Sequence, residues 1–190
     1  MNKKSLLLIG FVLMVLVQLA VPSKMIWDRE NILLHGEVYH FRTEPIDPND
    51  PFRGKYITLS FPDTEVEVKN AADWYASQPV YALLEKDADG FAVISGILRE
   101  APDQQADFLK TNIAYNLSYL EENKVEINLP FDRFYMEEYK APAAEKAYFE
   151  AQRDSTKITF AVVRILDGEA VLEDVMIEGV SIKELVDQLD

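Results

Sequence analysis

Cysteine is absent from this chain of 190 residues, and only two histidines are present. Without cysteine the chain forms no disulfide, no thiolate metal site, no cysteine nucleophile and no lipid-modified N-terminal cysteine. His35 and His40 stand on opposite sides of a predicted helix end, so no single element presents both of them to one metal ion. We therefore predict no metal site and no cofactor.

Glycine is scarce as well, with seven residues that stand singly along the chain. Phosphate-binding loops require clustered glycines, so the sequence offers no nucleotide-binding loop. No G-x-S-x-G string surrounds a serine, which leaves a Ser-His-Asp hydrolase without support. A Ser-Lys hydrolase needs only a serine near a buried lysine and stays open, although neither Ser60 nor Lys55 stands in a nucleophile turn. We name no catalytic residue, and an enzyme is the less favoured class.

Positive charge is in the minority, with 19 Lys and Arg residues against 33 Asp and Glu residues and a net charge of −14. A surface of this charge repels nucleic acid and anionic lipid headgroups, so we expect no nucleic-acid partner. A solvated acidic surface accounts for the charge, and a basic partner is the alternative reason for it.

One long apolar run, Leu6–Val21, directly follows Lys3 and Lys4. As a helix it spans about 24 Å at 1.5 Å per residue. Extending it to an interfacial Trp27 brings it near the ~30 Å hydrocarbon core of a bilayer. We predict that residues 6–27 cross the bilayer with the N-terminus in the cytoplasm, because lysines stay on the cytoplasmic side. A cleaved signal peptide is the alternative, although the sequence around Pro22 lacks an A-x-A cleavage pattern.

The membrane prediction divides the chain into an anchor at residues 1–24, a juxtamembrane helix at residues 25–36 and an extracytoplasmic domain at residues 37–190. Gly36 is a plausible end for the helix. Two β lobes divided near residues 100–110 are the alternative for the domain, because that stretch is polar and contains a proline.

Turn signals and helical spacing indicate the fold class of the domain. Apolar runs flank Asp87–Gly90 and Asp167–Gly168, which predicts two hairpins. Residues 142–153 and the residues after Ser181 have the spacing and caps of peripheral helices. We predict an α+β domain, mainly antiparallel β-sheet in a curled or barrel-like form, with two or three peripheral helices. The first turn also resembles the start of a calcium loop, but Leu98 stands where a ligand Glu is required.

The most distinctive stretch is residues 47–61, DPNDPFRGKYITLSF. Its two prolines fix φ and push the residues before them out of the helical region, which predicts a turn. A strand is predicted from Tyr56, because the residues there are β-branched, aromatic or aliphatic. Alternation along that strand places three apolar residues on the face that we expect in the core. These are Ile57, Leu59 and Phe61.

Residues 54–61, GKYITLSF, resemble the signature string of the GDYXXLXY protein family, and a weaker likeness continues to residues 133–135. Two signature positions differ, since Lys55 replaces an Asp and Phe61 replaces a Tyr. The resemblance implies a membrane-anchored extracytoplasmic protein and specifies no activity. The motif residues in this sequence are Asp47, Phe52, Arg53, Gly54, Tyr56 and Leu59.

Arg53 is the first candidate for a binding residue. Its guanidinium can pin the turn through a bidentate pair with a neighbouring carboxylate, or it can project to bind the carboxylate of a partner. Tyr56, Arg133 and Tyr135 are further candidates for one shared surface, with packing in the core or at a sheet edge as the alternative.

These observations favour a membrane-anchored, extracytoplasmic binding or accessory module whose partner is a membrane protein. An envelope hydrolase is one alternative, and it requires a buried lysine beside a serine or two converging carboxylates. A small-ligand sensor is the other, and it requires an apolar pocket of several hundred Å³.

An uncleaved anchor predicts that the membrane-bound protein migrates on a denaturing gel as the full chain. A marker lacking residues 1–23 provides the comparison and should migrate faster. Migration of the membrane-bound protein with the shorter marker would show instead that the leader is removed as a signal peptide.

Overall fold

The computed structural model describes residues 3–45, 56–102, 106–117, 123–154 and 156–188. In chain order the elements are α1 (Lys3–His35), β1 (Glu37–Arg42), β2 (Tyr56–Thr58), β3 (Glu65–Glu67), a 3-10 turn (Ala71–Asp73), β4 (Pro79–Lys86), β5 (Ala92–Leu98), β6 (Phe108–Asn116), β7 (Lys124–Ile127), β8 (Arg133–Tyr135), α2 (Ala141–Arg153), β9 (Thr159–Leu166), β10 (Glu169–Ile177), β11 (Val180–Ser181) and α3 (Ile182–Asp187).

Helix α1 is continuous from the apolar leader to the edge of the domain and contains Pro22 within it. It ends at His35 as predicted, and the N–H of Gly36 donates to the carbonyl of Ile32 at 2.8 Å. In the part of the chain that the structure describes, α1 is the one helix long and apolar enough to cross a membrane.

The larger sheet has the strand order β3-β7-β6-β4-β5 and is antiparallel. It curls until its two edge strands, β3 and β5, come within 8 Å of each other between Cα atoms. This curling gives the nearly closed, barrel-like form. The hairpin predicted around Asp87–Gly90 joins β4 to β5, and the predicted α+β class with antiparallel sheet is confirmed.

The second sheet has the order β1-β9-β10-β11 and is also antiparallel. Its central hairpin turns at the predicted Asp167–Gly168, where φ is 51° and 80°, values that suit a type I′ turn. The register shifts between Leu172 and Asp174, so Glu173 is the extra residue of a bulge.

A short antiparallel ribbon, β2 paired with β8, completes the strands, and α2 and α3 pack near it. Helix α2 buries the predicted stripe at Ala144, Tyr148 and Ala151. Ser181 caps α3, since its hydroxyl oxygen accepts the N–H of Lys183 at 3.2 Å. Both predicted helices are therefore confirmed.

Alternate strand residues converge on one hydrophobic core. Strand β9 shows the rule most clearly, because every second residue from Thr159 to Ile165 is buried. The predicted inward face after Tyr56 is confirmed, with Ile57, Leu59 and Phe61 at 1%, 4% and 7% exposure.

The alternative of two β lobes divided near residues 100–110 is wrong. Strand β6 begins at Phe108, inside that stretch, and Phe108 pairs with Leu83 of β4. Leu109 is fully buried. The alternation of the sequence does not reveal where β6 begins, because the polar residues Lys110–Asn112 interrupt the apolar pattern. These residues still belong to the strand, since their backbones pair with β4.

The turn at Gly168 yields a stability prediction. A Cβ at this residue would lie 2.4 Å from a ring carbon of Phe108, and φ is already 80°. We expect Gly168→Ala to lose about 1–2 kcal/mol for the left-handed backbone and roughly 1–3 kcal/mol more for the clash. Gly90→Ala is the control, because φ is 86° there and nothing lies within 4 Å. Urea unfolding followed by circular dichroism compares the two, and equal losses would contradict the role of Phe108.

Candidate functional site

The β2–β8 ribbon brings three of the four predicted binding residues together. Its register pairs Tyr56 with Tyr135 and Ile57 with Phe134. Alternation sends Ile57 and Phe134 into the core, at 1% and 3% exposure, and leaves Tyr56, Arg133 and Tyr135 on the other face. We call the residues Tyr56, Arg133 and Tyr135 the ribbon face.

The side chains of the ribbon face contact one another. The rings of Tyr56 and Tyr135 have centroids 5.5 Å apart with an interplanar angle of 56°. The guanidinium carbon of Arg133 lies 5.0 Å from the centroid of the Tyr56 ring, within the range of a cation–π contact. Hydrogen bonding to Tyr135, followed by the charges of neighbouring groups that include Asp132, raises the pKa of Arg133. The positively charged guanidinium therefore lies over the Tyr56 ring and is hydrogen-bonded to Tyr135.

Most of the ribbon face is open to solvent. Tyr135 is 64% exposed, and the side chain of Arg133 is 52% exposed. Tyr139, just after β8, is 71% exposed. The core needs none of this surface, because Phe134 fills the buried side of the same strand. The alternative of packing in the core is wrong for Arg133 and Tyr135, whereas packing at a sheet edge stays an alternative because β2 and β8 form a two-stranded sheet.

The remaining motif residues divide into two groups. Leu59 is buried, and its N–H donates to the carbonyl of Asp132 at 2.8 Å, so it joins the motif strand to the start of β8. The other four motif residues lie outside the residues that the structure describes, and the predicted roles of Arg53 stay predictions. They are Asp47, Phe52, Arg53 and Gly54.

The serine and the histidine that a hydrolase could use, Ser60 and His40, make contacts that stabilise the fold. The hydroxyl of Ser60 donates to a carboxylate oxygen of Glu44 at 2.8 Å. His40 packs against the ring of Phe160 at 5.0 Å between centroids. Across the described part of the chain, no group of three His, Cys, Asp or Glu residues is placed to hold a metal ion.

Sequence reasoning missed Arg42, which fixes the β4–β5 turn. Its guanidinium donates to Asp87 at 2.5 Å and to Asp89 at 3.1 Å, and it stacks over the ring of Phe91 at 4.0 Å. This hydrogen bond lowers the pKa of Asp87, and backbone N–H groups of the turn lower it further. Asp87 and Asp89, which the calcium-loop alternative requires as ligands, are therefore paired with an arginine. No local signal could have found this pair, because 45 positions separate Arg42 from Asp87.

A cavity beside β5 lies away from the ribbon face. It is an open groove of about 740 Å³ beside β5, with Trp74, Leu83, Ile97 and Leu98 among its apolar walls. The guanidinium of Arg99 stacks over Trp74 at 4.6 Å. A ligand pocket of this size usually combines apolar walls with converging polar groups, whereas the charged residues of this groove, Arg99 and Glu100, are exposed at its rim.

Residues 18–175 match the family model described as GDYXXLXY protein, and this span includes every strand from β1 to β9. No curated protein and no solved structure matches the chain.

Mutation of two neighbouring residues of β8 should change the free energy of unfolding by very different amounts. We expect Phe134→Ala to lower the free energy of unfolding by about 3–5 kcal/mol, because it removes a buried ring. We expect Tyr135→Ala to change it by less than about 1 kcal/mol, because that side chain is exposed. Urea unfolding of the two variants measures both values. A large loss in Tyr135→Ala would show that the ribbon face is part of the core packing.

Proposed function

This chain belongs to the GDYXXLXY protein family, and we propose that its domain is a membrane-anchored, extracytoplasmic binding module. The ribbon face contacts a protein partner in the same membrane. The module acts by binding, as an accessory subunit, and performs no chemistry of its own.

The observation that carries this proposal is the exposed contact between Arg133 and the two tyrosines. Tyrosine and arginine are enriched among the residues that dominate binding energy at protein interfaces. Pairing of β2 with β8 fixes the backbones of all three residues, so little conformational entropy is lost when a partner binds. The guanidinium offers charged donors to a carboxylate of the partner, and the rings offer apolar area.

Helix α1 supports a partner in the same membrane. The helix is long and apolar enough to cross a membrane, and Lys3 and Lys4 precede its apolar run. These lysines favour a cytoplasmic N-terminus and hence a domain on the opposite side. An anchored domain stays close to the membrane surface. We therefore propose that its partner is a protein of the same bilayer.

A small-ligand sensor is the second candidate, and the groove beside β5 is the observation in its favour. Its volume of about 740 Å³ is large enough for a small molecule. Mutation of Trp74 to Ala distinguishes the two candidates, because it removes a wall of the groove and leaves the ribbon face intact.

The proposal predicts that partner recovery depends on the ribbon face. Full-length protein is crosslinked in its native membrane and recovered in mild detergent, and the recovered partner is quantified. We expect Arg133→Ala and Tyr135→Ala each to lower that recovery about tenfold or more, as the loss of a dominant interface residue does.

Tyr115→Ala is the matched control. Tyr115 is also 64% exposed, but it lies on β6, which belongs to the larger sheet. Recovery of the partner with this variant should equal that of the wild type. Equal recovery with all three variants, or the absence of any membrane protein in the wild-type sample, would exclude the ribbon face as a partner site.

A further inference from the structure

We infer that α1 and the domain move as one rigid body, so that the tilt of the apolar helix is carried to the ribbon face. Helix α1 ends at His35 and strand β1 begins at Glu37, which leaves Gly36 as the whole connection. Most flexible linkers between domains have several residues free of contacts, whereas Gly36 is held on both sides by backbone.

Gly36 is in close contact with β9. Its N–H donates to the carbonyl of Ile32, and its carbonyl accepts from the guanidinium of Arg164 at 3.4 Å. A Cβ at Gly36 would lie 2.5 Å from the carbonyl oxygen of Ile32 and 3.1 Å from both the N and the O of Ile165. Only glycine fits between these backbones, and the fit removes the rotational freedom that a hinge at this position would need.

The last two turns of α1 are also attached to the β9–β10 hairpin. The guanidinium of Arg29 donates to the carbonyl of Ala170 at 2.9 Å. Ile32 is 7% exposed, although the residues around it on the helix are mostly exposed. The helix is therefore held by a hydrogen bond, by a buried side chain and by the contact at Gly36, all on the same pair of strands.

A continuous set of contacts leads from this attachment to the ribbon. Arg164, which touches Gly36, donates to the carboxylate of Glu173 at 2.6 Å. The backbone carbonyl of Glu173 accepts from the ammonium of Lys183 at 3.1 Å, and the same ammonium lies 5.2 Å from the ring centroid of Phe134. Phe134 is the buried residue between Arg133 and Tyr135, so polar and cation–π contacts, with an exposed step at Lys183, connect the helix end to the back of the ribbon face.

Distances between spin labels test this coupling in the full-length protein in lipid nanodiscs, without any partner. The absence of natural cysteine makes introduced labels unique. Labels at Val17→Cys, which is exposed and precedes Pro22, and at Tyr135→Cys report the position of the apolar run relative to the ribbon. Labels at Tyr115→Cys and Lys146→Cys report a distance inside the domain. We expect the first pair to give a single distance distribution as narrow as that of the second.

Variants of the attachment should broaden only the first distribution. Arg29→Ala removes one hydrogen bond and keeps the fold, and Gly36→Val forces the helix end away from β9. Lys24→Ala is the control on the same helix, because Lys24 pairs with the exposed Asp28 one turn away on α1 itself. Gly36→Val can also prevent folding. In that case the distance between the labels at residues 115 and 146 would change as well.

A broad or multiple distribution in the wild type would overturn the inference. A narrow distribution that neither Arg29→Ala nor Gly36→Val broadens, while the distance inside the domain stays unchanged, would also overturn it, because the contacts named here would then not hold the helix. The measurement uses no partner, so its result is independent of whether the ribbon face binds one.

Discussion

Adjacent residues of a β-strand point to opposite faces, and this constraint produces both the core and the candidate site. On β8, Phe134 enters the core while Arg133 and Tyr135 stay in solvent. On β2, Ile57 is buried while Tyr56 joins the exposed pair. Packing in the core fixes the position of Phe134. Because Arg133 and Tyr135 are its neighbours on the strand, the face on which their side chains lie is fixed as well. A shift of one residue in β8 would bury the Arg133 guanidinium and expose the Phe134 ring, and the same shift in β2 would bury Tyr56 and expose Ile57.

Three arginines join separate elements of this frame. Arg42 joins the β4–β5 turn to β1, Arg164 joins the helix end to β10, and Arg29 joins α1 to Ala170. Each of these residues connects two elements that are distant in sequence, and each has an oxygen acceptor within hydrogen-bonding distance. Arg133 differs, because its ring contact and its hydrogen bond lie within the ribbon face, and its side chain is 52% exposed. This difference separates an arginine available for binding from arginines that serve the fold.

Much of the fold could be predicted from local patterns, and the errors have physical causes. The turns at Asp87–Gly90 and Asp167–Gly168 were predictable, because few residues other than Gly, Asn and Asp adopt the required φ. The start of β6 was not predictable, because its polar residues join the sheet through backbone hydrogen bonds. Such bonds do not depend on the type of side chain. Arg42 was not predictable either, because its partners lie in the β4–β5 turn, 45 or more positions along the chain.

The sequence alone determined the apolar helix, the two hairpins, the α+β class and the inward face of the motif strand, because each depends on the intrinsic preferences of neighbouring residues. Tertiary structure alone decided that Tyr56 faces Tyr135, that Arg133 stacks beside them and that α1 is attached to β9 and β10. Those contacts join residues far apart in the chain. Strand register and the close approach of backbones establish them, and neither is encoded in a local pattern.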